Sequence, residues 1–550
     1  SDEYEELMVQ RALSAQRLRR DPSPAGKRVE RVVIVNNDVV AESDLWPTWF
    51  NTFHVTTAPD VIERELLFKS GETWAQALVD ESARNLRGNL YLATAQIVAA
   101  QGQSGGVVAV VVTKDLWSLR PDFAFSYVGS TLELLEAHPA ENNLAGRNKR
   151  LGADLRLDLA TYLVGLIYED PRVYGSRFFW QQQTDLIWNK DSGKLEGGIA
   201  SLSFGQPLYS LASEWSWSVA LDYTKDVYRL FSGPDLFEFR TAAGDLVPYS
   251  FRRRVIQPSV RATRRYGAHF KHDLTVGWRG LLKKYELPET AAPLQAASIA
   301  ELNDTILPFS EEAGIVFLTY HAFNPEFLRL MNIDTYGLTE DFRLGPDVTS
   351  SVGVASRAFG FSSSFIEPSL AARYLWYWGG DLFSIGASAS ARRQEGVLAG
   401  ADWVNQLASV SATNISAPWW GGWRLHTTAH YTRRARDLNH NFETLGGDEA
   451  LRGYPSRYFR GPQEWGANLE VRTRPYTWRA THFGFVGFVD TGDAFDHPKA
   501  IQVHTSVGVG LRVGVPQFNR PLLRFDFAYP LESIADAEPA YFVAQFGQAF

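Results

Sequence analysis

Leu445-Gly446-Gly447-Asp448-Glu449-Ala450-Leu451-Arg452-Gly453-Tyr454-Pro455-Ser456-Arg457-Tyr458-Phe459-Arg460 is the stretch on which the fold turns. It is too rich in glycine and charge to be a strand. It sits between segments whose apolar and polar residues alternate at period two, so it reads as a long loop joining two strands of a sheet. Its centre, Leu451-Arg452-Gly453-Tyr454, sets a cation among apolar neighbours. Such a loop is expected to fold inward and bring Arg452 to a buried carboxylate, because an unpaired charge in a confined interior is costly.

Outward from the loop the alternation is sharp. Between Gly466 and Pro475, Asn468, Glu470, Arg472 and Arg474 share one face, and Ala467, Leu469, Val471 and Thr473 share the other. Between Val503 and Val515, the valines and Leu511 back a face of His504, Ser506, Gly508, Gly510, Arg512 and Gly514. The split recurs over residues 153–159, 383–392 and 423–434. A soluble sandwich also alternates, so length and inner composition decide. These segments run about 9 to 15 residues, which suits a tilted membrane crossing, whereas sandwich strands run about 5 to 6. Their polar faces carry Arg, Asp, Glu and His, as a wet lumen requires, and aromatics crowd the segment ends at Tyr374, Trp376, Tyr377 and Trp378 and at Trp419, Trp420 and Trp423.

Tight turns at Tyr266-Gly267-Ala268 and Trp378-Gly379-Gly380 contrast with long loops at 229–248, 285–310 and 436–465. The expected fold is a transmembrane antiparallel β-barrel of roughly 16 to 20 strands, an even number by the parity of its loops. From Asp122 onward no helical period is evident.

Composition narrows the function classes. The 550 residues contain no Cys, which excludes disulfides and thiolate metal sites. A net charge of -8 argues against nucleic acid. No apolar run reaches the about 18 residues of a membrane helix, so any crossing is by a closed barrel. Ser1-Asp2-Glu3-Tyr4 lacks the basic and apolar regions of a signal peptide, which is therefore expected to have been removed.

Residues 1–27 read as a mostly polar helix and a linker broken at Asp21-Pro22-Ser23-Pro24. Residues 28–118 read as a small α+β domain: a strand at Val29–Val35, helices over 60–68 and 73–87, then strands at 90–99 and 106–113. This β-α-α-β-β order, with Glu65-Leu66-Leu67-Phe68-Lys69-Ser70-Gly71-Glu72 and the closing residues Val112 to Pro121, resembles a polypeptide-transport-associated (POTRA) domain, a single one. Residues 119–550 form the expected barrel.

The loop motif Leu451-Arg452-Gly453-Tyr454, with Phe485-Val486-Gly487-Phe488-Val489-Asp490-Thr491-Gly492-Asp493 and Val507-Gly508-Val509-Gly510-Leu511-Arg512, resembles the BamA/Sam/TpsB (Omp eighty-five) superfamily of outer-membrane barrels. Glu141-Asn142-Asn143-Leu144-Ala145-Gly146-Arg147 is similar to that family as well, and its barrels ordinarily have about 16 strands. The resemblance implies that the loop enters the lumen and that Arg452 pairs with Asp490. Glu470, on the polar face of the intervening strand, is a second candidate partner. Gly453 permits a positive φ or a close approach, and Tyr454 packs while keeping its hydroxyl bonded. Whether Arg452 only pins the loop or also switches is open.

The C-terminal run presents Phe542, Ala544, Phe546 and Phe550 on one face, similar to the terminal strand of outer-membrane barrels. The resemblance implies a seam between first and last strands that opens laterally and pairs with substrate strands. Gly547 either weakens that strand or makes room for a neighbour.

Asp490-Thr491-Gly492 matches an aspartic-protease tripeptide, but no second copy exists to share a proton. Asp490, Asp493 and Asp496 lack the remainder of a calcium-loop pattern, and His426, His430 and His440 read as solvated lumen histidines rather than metal ligands. No nucleophile elbow, phosphate loop or dinucleotide fingerprint occurs. The sequence therefore suggests no enzyme, catalytic residue, cofactor or metal. It points to insertion or translocation of unfolded or nascent outer-membrane polypeptides, with the lipid bilayer and a periplasmic partner at the POTRA domain as expected contacts. A two-partner-type secretion pore, a passive porin and a structural anchor barrel are the rivals.

Overall fold

The computed structural model describes residues 3–40, 51–52, 54–89, 91–128, 131–232, 235–288, 294–447, 450–455, 457–478, 481–515, 520–532, 540–546 and 548. The N-terminal part holds helix α1 (Glu3–Ala15), strand β1 (Val29–Asn37), helices α2 (Pro59–Glu63) and α3 (Gln76–Asn89), and strands β2 (Leu92–Gln101) and β3 (Val107–Asp115). β3 is central, parallel to β1 and antiparallel to β2.

The valine run of β3 is continuous rather than alternating because both faces of the sheet are covered. Ile62, Leu66, Phe68, Trp74, Val79 and Leu86 pack on one face. Val9, Ala12 and Leu13 of α1 pack on the other, against Val108, Val110 and Val112. The leading helix is thus part of this domain's core, not a polar appendage. The expected helix over 60–68 stops at Glu63, and two turn bonds, from Glu65 to Ile62 and from Leu66 to Glu63, carry the chain on to Leu66.

Residues 119–546 close into an antiparallel barrel. Among the described residues, twenty-one strand segments contribute; Gln463–Arg472 and Tyr476–Trp478 pair in succession with the same Thr481–Phe495 strand and form one stave, leaving twenty. Successive staves along the chain pair antiparallel, so the connections alternate between the end that receives the N-terminal domain at Leu119 and the far end. The loop at 436–462 opens at the far end. Along the walls, Leu166, Val276, Phe485, Val489 and Val509 are exposed outward while Asp490, Ser506, Arg512 and Asp526 are buried inward, the inverted alternation of a barrel in lipid.

Two elements depart from the period-two expectation. The 285–310 loop contains a helix, Ala296–Thr305, whose Leu302, with Ile306, packs on Val247 and Phe251 at the lip of the barrel. It forms because tertiary packing supplies what a ten-residue helix lacks on its own. The second is a hairpin, Phe327–Met331 paired with Thr339–Arg343, inserted at the domain end between two strands that already pair directly at Phe323 and Asp347.

The domain docks on connections at its own end of the barrel, three of them successive along that end. Asn143 Nδ2 donates to Thr57 Oγ1 at 2.9 Å, and the Ala58 amide donates to the Gly146 carbonyl at 3.0 Å, so the motif at 141–147 lies at this junction. Arg172 grips Glu65 with two buried bonds of 2.7 and 2.6 Å. The Leu211 amide donates to Glu81 Oε1 at 2.5 Å.

Candidate functional site

The loop leaves the barrel wall as a short ladder, Glu443–Leu445 with Phe459–Gly461, and its tip turns back into the lumen. Gly453, at φ +95°, makes that reversal, and a Cβ there would lie 2.8 Å from the Ser506 Cβ. Both the dihedral and the close wall require glycine. Leu451 and Tyr454 are buried with Leu445 and Ala494, which seats the tip on an apolar pad. The Tyr454 hydroxyl donates to Glu532 at 2.5 Å and lies 3.0 Å from the Thr505 carbonyl. Burial first, and the bond to Glu532 second, push the phenol above its ordinary pKa.

Between these anchors Arg452 is fully buried. Its Nε and one terminal nitrogen donate to the two Asp490 oxygens at 2.7 and 2.8 Å. Its other terminal nitrogen donates to Glu470 at 2.7 Å and to Asp526 at 2.9 Å. The guanidinium lies 3.5 Å above the Phe488 ring, its backbone amide donates to Asp490, and its carbonyl accepts from the Ser506 hydroxyl. Burial opposes the charge, yet the Asp490 bonds and the three carboxylates hold the arginine above its ordinary pKa, so it stays cationic.

The carboxylates are themselves shared. Arg472 Nε donates to Glu470 at 2.7 Å, and Arg512 donates to Asp526 at 2.5 Å while lying 3.7 Å from Glu470. Arg524 is 3.7 Å from Asp526, and Asn468 Nδ2 joins the Ala450 carbonyl at 2.7 Å to Asp490 at 2.9 Å. Each group comes from the inward face of one of four adjacent strands: 463–472, 481–495, 504–514 and 523–530. Their registers stack Asn468 opposite Asp490, Asp490 opposite Ser506, and Gly510 opposite Asp526.

The structure thus brings Arg452 against both sequence candidates, Asp490 and Glu470, and adds Asp526. Of the seam residues, Phe542 pairs with Phe527 in the last strand and is exposed, while its ring stacks 6.4 Å from Phe525. Phe546 ends that strand opposite Leu523. Gly547 and Phe550 lie outside the described residues. His426 is buried in the wall, not solvated. Arg512 also donates to Gln548 at 3.1 Å, tying the arginine cluster to the chain end beyond the closing strand.

These contacts pin the tip of a long loop inside a closed barrel through a buried arginine. Residues 430–550, the loop and all five staves after it included, match the Omp85 superfamily domain. Similar solved structures include BamA from Haemophilus ducreyi lacking POTRA domains 1–3 (14% identity, 95% of this chain and 85% of that one, TM-score 0.36). CdiB from Acinetobacter baumannii (11%, 95% and 73%, 0.40) and CdiB from Escherichia coli (10%, 94% and 75%, 0.41) are similar as well. These superpositions are loose, and the fold rests on the strand pairing above. A comparison with curated proteins gives no match. The superfamily resides in outer membranes and inserts or translocates unfolded polypeptides without enzymatic chemistry.

Proposed function

We propose that this chain inserts polypeptides into the outer membrane, or translocates them across it, through a barrel gated by the Arg452 loop. Residues 28–118 act as a single POTRA domain facing the periplasm, and residues 119–550 as the barrel. The observation that carries this reading is the Arg452 cluster. A passive porin gains nothing from a loop tip tied into its lumen by three carboxylates, whereas a gate needs a docked state that is held firmly and specifically.

Two features support a lateral route. Among the described residues the last strand, Tyr541–Phe546, has six residues beside a first strand, Leu119–Val128, of ten. The bond from Arg512 to Gln548 joins that seam to the cluster that holds the loop. Docking and seam closure then reinforce each other, and an incoming strand that pairs at the edge competes with both. In the POTRA domain, β1 and β2 are the sheet edges; Ala95, Ala99 and Gln101 of β2 are already bonded to Arg87 and to residues 19–21, which leaves β1 as the edge for an extended client.

A photocrosslinker at Tyr541 in membrane-embedded protein tests this reading. Unfolded outer-membrane polypeptides crosslinked there support insertion at the seam. Crosslinks to lipid alone, in cells actively exporting such polypeptides, refute it.

A further inference from the structure

The hairpin at 324–344 is not needed to connect its strands, because Phe323 already pairs with Asp347 and a turn of about two to five residues suffices for such a connection. It is also a preformed body. Its tip is knitted by Glu340, which accepts from the amides of Ile333, Asp334 and Thr335 at 3.0 to 3.2 Å and from the Thr335 hydroxyl at 2.7 Å. Asn332, at φ 59°, accepts from the Gly337 amide at 2.9 Å.

One side of this body is seated on the barrel wall. Ile333 packs with Leu375, Leu382 and Ile415. Tyr336 is buried against Gly484 and Gly514, where a Cβ would lie 2.1 Å from its hydroxyl and 3.2 Å from its own Cβ. Neither glycine has a positive φ, so the wall is bare there for space and not for conformation. The tip borders a cavity of about 170 Å³ that it shares with His426, Arg424, Arg472 and Gln548. Arg472 is the residue that bonds Glu470 in the Arg452 cluster, so the hairpin stops one side chain short of the outer loop's lock.

The other side is gripped by the N-terminal domain. Arg87 of α3 bonds Asp341 at 2.5 to 3.0 Å, Arg329 bonds Asp80 at 2.8 Å, and Arg84 lies 4.3 Å over the Phe327 ring. Glu5 of α1, buried, accepts from Gln96 of β2 at 2.7 Å and from Thr339 of the hairpin at 2.8 Å. Arg520, from the connection after the 504–514 strand, donates to the carbonyls of both Arg87 and Thr339.

We infer that residues 324–344 form a second plug, inserted from the domain end and seated by α1 and α3, which leaves the lumen when the N-terminal domain engages an extended polypeptide. The inference rests on the gated-barrel reading above but names a different gate and the element that controls it. A client that competes for α3 or the sheet removes the grip on Asp341 and Thr339, and the hairpin loses one of its two supports.

The test uses the full chain and no client, so it stands or falls apart from the insertion assay. The sequence has no native cysteine, and the Tyr336→Cys, Gly514→Cys pair is close to disulfide geometry. The pair is expected to crosslink on mild oxidation, and adding Asp341→Asn is expected to lower the crosslinking rate. Planar-bilayer conductance is then read in the Arg452→Ala background, where the outer loop is released. Deleting residues 327–343 there is expected to raise the open probability about five- to 150-fold, the span of ordinary coupling between sites. A deletion variant that shows heat-modifiable barrel mobility yet conducts no more than Arg452→Ala alone overturns the plug. A crosslinking rate unchanged by Asp341→Asn overturns its control by the N-terminal domain.

Discussion

Replacing Asp490 by Asn keeps the volume of the side chain and removes one charge at the centre of the lock. Glu470 retains Arg472 and Arg512 as neighbours, and Asp526 retains Arg512 and Arg524. Among the described residues Arg452 is the one cation bonded to Asp490, through both oxygens. The substitution therefore cuts the two charge-assisted bonds that orient the guanidinium and weakens the bond to the Arg452 amide. Breaking a buried, hydrogen-bonded pair on one side costs about 3 to 5 kcal/mol. Docking of the loop weakens by that amount, because Asp490 belongs to the wall and the loop's other anchors, Leu451 and Tyr454, are unchanged by the substitution. At about 1.4 kcal/mol per tenfold, the undocked population rises on the order of 100-fold or more. Trypsin reads this directly: Arg457 and Arg460 are exposed in the docked loop, whereas Arg452 is sealed and becomes a cleavage site only when the tip leaves the lumen. The expected result in reconstituted vesicles is fast cleavage after Arg452 in Asp490→Asn and slow cleavage in the parent, with heat-modifiable mobility intact in both. Equal rates, within about twofold, would refute the assignment of the docking energy to this pair.

Gly453→Ala is expected to undock the tip by about 1 to 3 kcal/mol, because φ +95° and the Ser506 wall both oppose a side chain; the same cleavage assay measures it. Tyr454→Phe loses the bond to Glu532 and is expected to cost about 1.5 to 3 kcal/mol, seen as a lower heat-modification midpoint in detergent. Glu65→Gln strips Arg172 of its buried partner and is expected to release the N-terminal domain from the barrel by about 3 to 5 kcal/mol, measured as faster amide exchange in residues 59–66 with barrel exchange unchanged.

The barrel was legible because lipid outside and water inside impose one rule on every stave, and runs such as Val503–Val515 display it without interruption. The loop was legible for the same reason: a glycine-rich, charged break between two alternating segments has to be a connection, and Arg452, set among apolar neighbours, needs carboxylates that the inward faces supply. Asp526 carries the same alternating signal, with Arg524 and Asp526 set against Phe525, Phe527 and Tyr529. What the sequence lacks is register, and the pairing of Gly510 with Asp526 is what brings that carboxylate to Arg452. The inner hairpin is hidden for a related reason. Phe327–Met331 and Thr339–Arg343 look like pieces of wall until Phe323 is seen to pair directly with Asp347. The helix at Ala296–Thr305 shows little period of its own because its stability comes from the aromatic lip beneath it. In the N-terminal domain the strands fall within about two residues of their expected bounds, and α2 is short because the chain turns at Glu63 to enter the core at Leu66 and Phe68.

The central claim, that the loop locked by Arg452 gates polypeptide insertion, is tested most directly by the rate at which an unfolded outer-membrane barrel client becomes protease-resistant in vesicles holding this protein or its Arg452→Ala variant. The account predicts that the parent accelerates insertion over empty vesicles and that Arg452→Ala, still folded as a barrel, falls toward the empty-vesicle rate. A variant that inserts the client as fast as the parent contradicts it.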